Sequence, residues 1–149
     1  MQYELRAPDT PDEWSAYHQI RRSELFDRRG RGDQYNDHHP DESAPGNFPL
    51  LLFRDAVPVG TIRIDTGQPL VLFRMVTVRH DAQGTGAGRE MLRRAEAFAR
   101  AHGGERVALY SAADAVGFYE RCGYDRTPDL KPIGDTVPMG KAIVGPMSK

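Results

Sequence analysis

The chain has 149 residues, the size of one domain, and we expect residues 1–149 to fold as a single unit. Its hydrophobic fraction of 39% and charged fraction of 28% are those of a folded globular protein and exclude a largely disordered chain. Lys and Arg number 20 against 21 Asp and Glu, so the net charge is −1. This balance argues against nucleic-acid and membrane-surface partners, because both favour a basic excess.

The first part of the chain predicts a strand, a helix and a long loop. Residues 3–6 have a strand pattern. Thr10 can cap the helix that Pro11 begins, and Glu13 can complete a capping box. Aromatic and aliphatic residues follow at helical spacing until two glycines open a long loop. Residues 30–49 are rich in Gly, Asp, Asn, His and Pro, which predicts either a binding loop with one helical turn or a plain surface loop.

The middle of the chain has the pattern of three strands in series. They are predicted over residues 50–54, 59–65 and 70–79, with turns at residues 55–58 and 66–69 between them. Short turns join antiparallel neighbours, so we expect an antiparallel meander.

After the meander, the hydrophobic period changes from two to 3.6 residues. A helix is predicted to open near Gly86 and to stop at a glycine pair, and a strand follows over residues 106–110. Residues 111–114 resemble a capping start for another helix, which Gly123 would end in a left-handed conformation. A last strand is predicted over residues 137–144. The order β-α-loop-βββ-α-β-α-β indicates a mixed α/β layer fold.

The turn before the first of these two helices carries glycines at 84, 86 and 88. Bare backbone there lets N–H groups point outward, and the helix N-terminus adds positive charge, so the turn could bind an anion. A P-loop is excluded, because Arg89 stands where its second glycine is needed and Glu90 where its lysine is needed. A dinucleotide fingerprint is excluded too, because its third glycine would fall on Arg89 or Met91. The residues alone leave open a tight connection without a ligand and a nucleotide-phosphate site.

Two motifs resemble the GNAT superfamily of N-acetyltransferases. Gln83-x-x-Gly86-x-Gly88, after the strand end Val76-x-Val78, is similar to the family's acyl-CoA pyrophosphate motif. Residues 115–124 are similar to its Ala-x-x-Phe-Tyr-x-x-x-Gly-Phe helix. The resemblance is sharp over residues 70–124. It implies one acyl-CoA N-acyltransferase domain with a GNAT-like, mostly antiparallel sheet of six to seven strands and about four helices, in the order β-α-α-βββ-α-β-α-β.

The resemblance also implies acetyl-CoA as co-substrate, without a metal. The strand end would pair with the pantetheine arm, and the turn amides would hold the pyrophosphate. The implied cofactor-binding residues are Val76, Thr77, Val78, Gln83, Gly84, Thr85, Gly86, Ala87, Gly88 and Arg89. Tyr119 matches the tyrosine that commonly protonates the departing thiolate and is the expected catalytic residue; simple packing in the core is the alternative.

The implied reaction is acetyl transfer from acetyl-CoA to a primary amine by direct attack. Many members carry a glutamate base on the fourth strand, but the corresponding stretch here reads Phe73-Arg74-Met75. A non-catalytic acyl-CoA-binding module of the same fold is therefore the alternative. We expect a small-molecule or protein amine as the acceptor, no nucleic-acid or membrane partner, and a homodimer, which is common in the family.

The remaining candidate residues have plainer interpretations. Cys122 lies on an apolar helix stripe, which predicts an inert, buried thiol. A lone cysteine and a start without an apolar signal segment favour the cytoplasm. Asp65 and Glu24 are candidate bases for the amine. The pair His38-His39 favours a polar loop over a metal site, because adjacent side chains converge poorly.

Overall fold

The computed structural model describes residues 2–26, 35–36 and 39–144, and these form seven strands and three α-helices. The strands are β1 (Tyr3–Arg6), β2 (Asn47–Arg54), β3 (Val57–Asp65), β4 (Leu70–Val78), β5 (Arg106–Ser111), β6 (Asp125–Arg126) and β7 (Val137–Ala142). The helices are α1 (Pro11–Arg21), α2 (Ala87–Ala101) and α3 (Val116–Arg121). A π-helical turn continues α1 at Arg22–Phe26, and 3-10 turns lie at Pro40–Ser43, His80–Ala82 and Ala113–Ala115.

The seven strands form one sheet in the order β1-β2-β3-β4-β5-β7-β6. Neighbouring strands are antiparallel except β4 and β5, which are parallel and are connected through α2. The predicted mixed α/β fold, with a mostly antiparallel sheet of six to seven strands, is confirmed. The described residues contain three α-helices rather than about four. None of the described helices has the length and apolar character needed to cross a membrane.

Helices cover both faces of the sheet. On one face, Tyr17 and Ile20 of α1 pack against Leu51 and Phe53 of β2. On the other face, α2 buries the apolar stripe that its helical spacing predicted, which includes Met91, Leu92, Ala95 and Ala99. Helix α3 lies on the same face as α2, because Tyr119 belongs to the same buried cluster.

The β2–β3 hairpin is tighter than the sequence predicted. Asp55 and Ala56 form the turn with φ of 50° and 70°, so β3 begins at Val57 rather than at residue 59. Two left-handed residues in succession give a turn whose twist matches that of the flanking strands. Strand β2 also begins three residues earlier than predicted, because Asn47 pairs with Asp65 at the far end of β3.

The segment after β5 also differs from the prediction. Strand β5 runs to Ser111, whose hydroxyl donates to the carbonyl of Ala112 (2.7 Å), so Ser111 does not cap the next helix. Helix α3 begins at Val116 after a 3-10 turn instead. Gly123 follows α3 with φ of 93°, as predicted. The last strand ends at Ala142 rather than at residue 144, and it pairs with β6, which the sequence did not predict.

The predicted start of α1 is confirmed with one change of partner. The hydroxyl of Thr10 accepts a hydrogen bond from the N–H of Glu13 (3.1 Å). The Glu13 carboxylate accepts from the N–H of Asp9 (2.8 Å) and from both terminal nitrogens of Arg6 (2.9 and 2.8 Å). These bonds, with that to Arg6 the strongest, lower the pKa of Glu13 to about 2. The helix end predicted near residue 30 lies outside the described residues.

Candidate active site

The sheet opens between β4 and β5 after the first four residues of each strand. Parallel pairing runs from Leu70 and Arg106 to Phe73 and Leu109, where it ends. Beyond that point, β4 pairs only with β3, through Arg74, Thr77 and Val78. The other edge of this segment therefore faces a slot between the two parallel strands.

A β-bulge marks the place where this opening begins. Strand β4 has two residues, Met75 and Val76, opposite the single residue Ile62 of β3. Met75 has φ of 53°, a left-handed conformation that costs a non-glycine residue about 1–3 kcal/mol. The hydroxyl of Thr61 donates to the Met75 carbonyl (3.3 Å) and braces the bulge. Because a bulge bends and twists its strand, it accounts for the turn of β4 away from β5.

The backbone groups of Val76 and Val78 lie on the open edge of β4. The N–H of Arg79 donates to the carbonyl of Val59 (2.7 Å), which fixes the hydrogen-bonded positions of the β3–β4 ladder. Since bonded positions alternate along an antiparallel pair, Thr77 directs its backbone groups to β3. Val76 and Val78 direct their backbone groups away from β3, into the slot, where an extended ligand could pair with these groups.

The turn after β4 presents backbone N–H groups that have no acceptor. Gly84 and Gly86 have φ of 76° and 91°, and a Cβ at either position would meet no atom within 4 Å. Within the described part of the chain, the N–H groups from Gly84 to Arg89 donate no hydrogen bond. Those at residues 87–89 belong to the first turn of α2, where the helix dipole adds partial positive charge. Backbone alone can bind an anion at such a turn.

Two side chains of the predicted site hold the turn in shape. Gln83 donates from Nε2 to the Val78 carbonyl (3.1 Å) and from its N–H to the His80 carbonyl (3.3 Å). Thr85 donates from its hydroxyl to the Ala82 carbonyl. Both side chains are therefore engaged inside the turn, and of the two residues only Thr85 has a free N–H for a ligand.

Helix α2 starts with two small residues that let other elements come close. Ala87 is fully buried in the core. A Cβ at Gly88 would lie 3.1 Å from Cζ of Phe118, so the Phe118 ring would have to shift by a few tenths of an ångström. Packing against α3 therefore favours a small residue at position 88, independently of any ligand.

Two arginines lie beside the turn, and the sequence predicted one of them. Arg89 is exposed on the first turn of α2. Arg54, at the end of β2, donates to the hydroxyl of Thr85 (2.9 Å). The sequence did not indicate Arg54, because only the register of the β2–β3 hairpin brings it next to the turn.

Tyr119 lies on α3 with 7% of its surface exposed, and its ring contacts the rings of Phe118 and Tyr124. Its hydroxyl makes no hydrogen bond within the described chain. In that part of the chain, Arg21 Nε is the one fully buried side-chain N or O atom without a partner, so the Tyr119 oxygen must reach solvent. Burial raises the pKa of Tyr119 above its ordinary value, which keeps the phenol protonated at neutral pH.

A buried charged group behind Tyr119 was also missed. Glu96 of α2 is 5% exposed; its carboxylate accepts from the Tyr124 hydroxyl (2.7 Å) and from Lys141 Nζ (3.0 Å). Lys141 also donates to the carbonyl of Cys122 (3.0 Å). The sequence contained a signal for this network, because Glu96 follows Leu92 by four residues and so falls on the buried face of the helix.

Neither carboxylate that the sequence offered as a base is free. Both oxygens of Asp65 accept from Arg63 (2.7 and 2.8 Å). Glu24 accepts from the N–H of His80 (2.9 Å) and lines an open groove of about 540 Å³ between α1 and residues 79–81. Cys122 is half-buried, and burial raises the pKa of its thiol, as an unreactive cysteine requires.

The predicted histidine pair is described only in part. His38 lies outside the described residues. His39 accepts a hydrogen bond at Nδ1 from the N–H of Asp41 (3.1 Å) and so caps a 3-10 turn. The described residues contain no group of three His, Cys, Asp or Glu side chains that could hold a metal ion.

The slot and the turn together define a class of protein. A mixed α/β sheet opens between two parallel strands, and its open edge leads directly to a backbone anion site at a helix start. This arrangement suits an extended ligand with a phosphate-bearing end. The model of the acetyltransferase (GNAT) family matches residues 3–124, and the chain belongs to that family. Among curated proteins, none matches the sequence.

Solved structures share this fold at low sequence identity. An acyl-CoA N-acyltransferase from Pseudomonas aeruginosa is 19% identical with a TM-score of 0.76, over 95% of this chain and 99% of its own. An aminoglycoside 6'-N-acetyltransferase complexed with coenzyme A is 14% identical with a TM-score of 0.77, over 99% and 100%. The ribosomal-protein-S18-alanine N-acetyltransferase from Escherichia coli is 14% identical with a TM-score of 0.74, over 98% and 97%.

Proposed function

We propose that residues 1–149 form one N-acetyltransferase domain that moves an acetyl group from acetyl-CoA to a primary amine. The observation that carries the proposal is the run of unbonded N–H groups from Gly84 to Arg89, in line with the open edge of β4. The pyrophosphate of coenzyme A would lie on these groups. Its pantetheine arm would pair with the backbone of Val76 and Val78, which places the thioester at the slot.

The chemistry then needs no nucleophile from the protein. The neutral amine attacks the thioester carbonyl carbon, and the C–N bond forms while the carbonyl oxygen gains negative charge. A backbone N–H at the bulge, from Val76, would stabilise that charge. As the C–S bond breaks, the Tyr119 hydroxyl would give its proton to the sulfur of coenzyme A. This role suits Tyr119, because its raised pKa keeps the proton on the oxygen until the thiolate forms.

Removal of the amine proton falls to water in this proposal. Many family members have a glutamate base on this strand, where the sequence here reads Phe73-Arg74-Met75, and Asp65 is occupied by Arg63. An alkyl amine has a pKa of about 10.4, so a small neutral fraction would react at pH 7. We therefore expect the rate to rise with pH as that fraction grows.

Release of free thiol from acetyl-CoA, measured over a diverse panel of amines, tests the proposal. Tyr119→Phe is expected to lower kcat by about 10²-fold or more, in line with the usual contribution of a general acid. Its stability should be unchanged, because the hydroxyl has no partner to lose. Tyr3→Phe, on edge strand β1, is the matched control and should keep the wild-type rate. Equal rates in both variants would remove Tyr119 from the mechanism.

A non-catalytic acyl-CoA-binding module is the second candidate function. One observation favours it: the two candidate carboxylates are already engaged, by Arg63 and by His80. Calorimetric binding of acetyl-CoA without thiol release for any amine in the panel would establish this function. The amine acceptors named for related folds, an aminoglycoside and a ribosomal-protein alanine, support the enzyme instead.

A further inference from the structure

Three charged side chains of β3 and β4 lie together on the face of the sheet that carries α1. Arg63 binds both oxygens of Asp65 with its fork of donors (2.7 and 2.8 Å). Arg74 approaches the same carboxylate with Nε, at 3.4 Å from Oδ2. This group of Arg63, Asp65 and Arg74, called here the β3–β4 charge cluster, has two positive charges and one negative charge.

Arg74 supplies the surplus charge. The register places Arg63 and Arg74 directly opposite each other, and like charges in such pairs are destabilising. The Arg63 side chain is 8% exposed and holds Asp65 with Nε and Nη2, whereas the Arg74 side chain is 42% exposed. Within the described chain, the guanidinium of Arg74 donates no hydrogen bond that meets normal geometry. Its donors therefore remain available to a ligand.

Two acidic side chains outside the cluster, Glu42 and Asp41, also act on Arg63. Glu42 acts on Arg63 through its charge, but its two oxygens accept from Arg21 and from the Tyr17 hydroxyl (2.8 Å). Asp41 acts on Arg63 in the same way, and its exposed carboxylate lies 3.9 Å from His39 Nδ1. Within the described chain neither of these two carboxylates forms an ion pair with Arg74, so its exposed guanidinium is the cation of the cluster that an incoming anion would meet.

Arg74 also lies at the right place relative to the reaction. It is the first residue of β4 beyond the end of pairing with β5, two residues before Val76. At about 3.3 Å per residue, the two Cα atoms are within about 7 Å along the strand. The Arg74 side chain is on the α1 face, opposite to the face where α2 begins. An amine that reaches the thioester from the α1 face would thus pass the guanidinium.

We propose that Arg74 is a specificity-determining residue that selects acceptor amines bearing a carboxylate a few bonds from the amine. This inference rests on the proposed function and names the class of its substrate. The planar guanidinium can bind a carboxylate with two parallel hydrogen bonds, which fixes the position of the attacking nitrogen as well. Cationic acceptors such as polyamines would be repelled by the same charge.

The test compares amines that differ only in the acid group. β-Alanine is paired with β-alaninamide and 4-aminobutyrate with its amide, and thiol release from acetyl-CoA gives kcat/KM for each. One charge-assisted contact predicts a preference of about 10- to 100-fold for the acid. Arg74→Gln should abolish this preference, and Arg74→Lys should retain part of it. Arg93→Gln, an exposed arginine on α2, is the matched control and should keep the full preference.

Different outcomes address the two claims separately. No thiol release with any amine overturns the proposed function. Release that is equal for acids and amides, or faster for spermidine, leaves that function intact and overturns the role of Arg74. The same assay also compares peptides that begin with Asp with peptides that begin with Asn. If the acid is preferred among the peptides but not among the small amines, the carboxylate that Arg74 recognises belongs to a peptide acceptor.

Thermal unfolding separates recognition from a structural role. Arg63 keeps Asp65 satisfied without Arg74, and the like-charge pair disappears, so Arg74→Gln should leave Tm within about 2 °C of the wild type or raise it. A lowered Tm, together with an equal loss of activity for acids and amides, would show that Arg74 only supports the sheet.

Discussion

Gly86 and Gly103 form a natural pair for testing the anion site at the start of α2. The two glycines lie at opposite ends of the helix, with φ of 91° and 84°, and a Cβ at either would meet no atom within 4 Å. Alanine at either position therefore has the same backbone cost and no steric clash. That cost is about 1–2 kcal/mol, or a fall in Tm of about 3–6 °C for a chain of this size.

Binding of coenzyme A should separate the two variants. In Gly86→Ala the new methyl group projects into the open space where we propose that the pyrophosphate lies. Loss of one charge-assisted hydrogen bond to a backbone N–H costs about 1.5–3 kcal/mol, so Kd should rise by about 10- to 100-fold. In Gly103→Ala the change is at the far end of α2, and Kd should stay at the wild-type value.

Calorimetric titration with coenzyme A, alongside thermal melts, provides both measurements. Matching falls in Tm with divergent Kd values would locate the pyrophosphate at the turn. The reasoning is refuted if both variants bind coenzyme A as the wild type does, because a methyl group would then be tolerated in the middle of the supposed site.

Two further predictions concern the ion pairs of the fold. The pKa of Glu13 is lowered from 4.5 to about 2, so the stabilisation by its bonds to Arg6 is present above pH 4.5 and is lost as the pH falls towards 2. The Tm of Glu13→Gln should therefore depend less on pH over this range than the Tm of the wild type. Lys141→Met leaves the buried Glu96 with Tyr124 as its one partner among these two, and the free energy of unfolding in urea should fall by about 2 kcal/mol. This loss is smaller than that for breaking a fully buried ion pair, because Lys141 is partly exposed. Adding Glu96→Gln to that variant should recover part of the loss; a further additive loss would contradict the account.

Local sequence signals predicted the turn and every α-helix and strand except the short strand β6, with errors of a few residues in the bounds. The helix start at Thr10 and the glycine at position 123 follow from capping and backbone preferences that depend on a few neighbours. The order of strands and helices follows from the change of period after β4. These features are local, so one sequence reveals them.

Contacts between distant segments were beyond such reasoning. Arg54 reaches Thr85 across 31 residues, and Lys141 reaches Glu96 across 45. The spacing of residues places Glu96 on the buried face of α2, but it identifies neither Lys141 as the partner of Glu96 nor Thr85 as the partner of Arg54. The role of Gln83 differs for the same reason: its side chain folds back onto Val78, which only the path of the turn determines.

The bulge in β4 lies between local and long-range features, because the order of apolar residues along the strand departs from the alternation of a regular strand. Val71 and Phe73 pack into the core cluster under α2, and so do Val76 and Val78, although strict alternation would place the second pair on the opposite face. One extra residue must therefore lie between the two pairs. Met75 is that residue, and its left-handed conformation restores the apolar row while it turns the strand edge towards the slot.

Arg74 is the last side chain in phase with the first half of the strand, and so it stays on the α1 face beside the point where the edge opens. The same insertion thus fixes both the proposed thioester position and the place of Arg74 beside it. A change at Arg74 should therefore alter the choice of acceptor without disturbing the turn where we propose that coenzyme A binds.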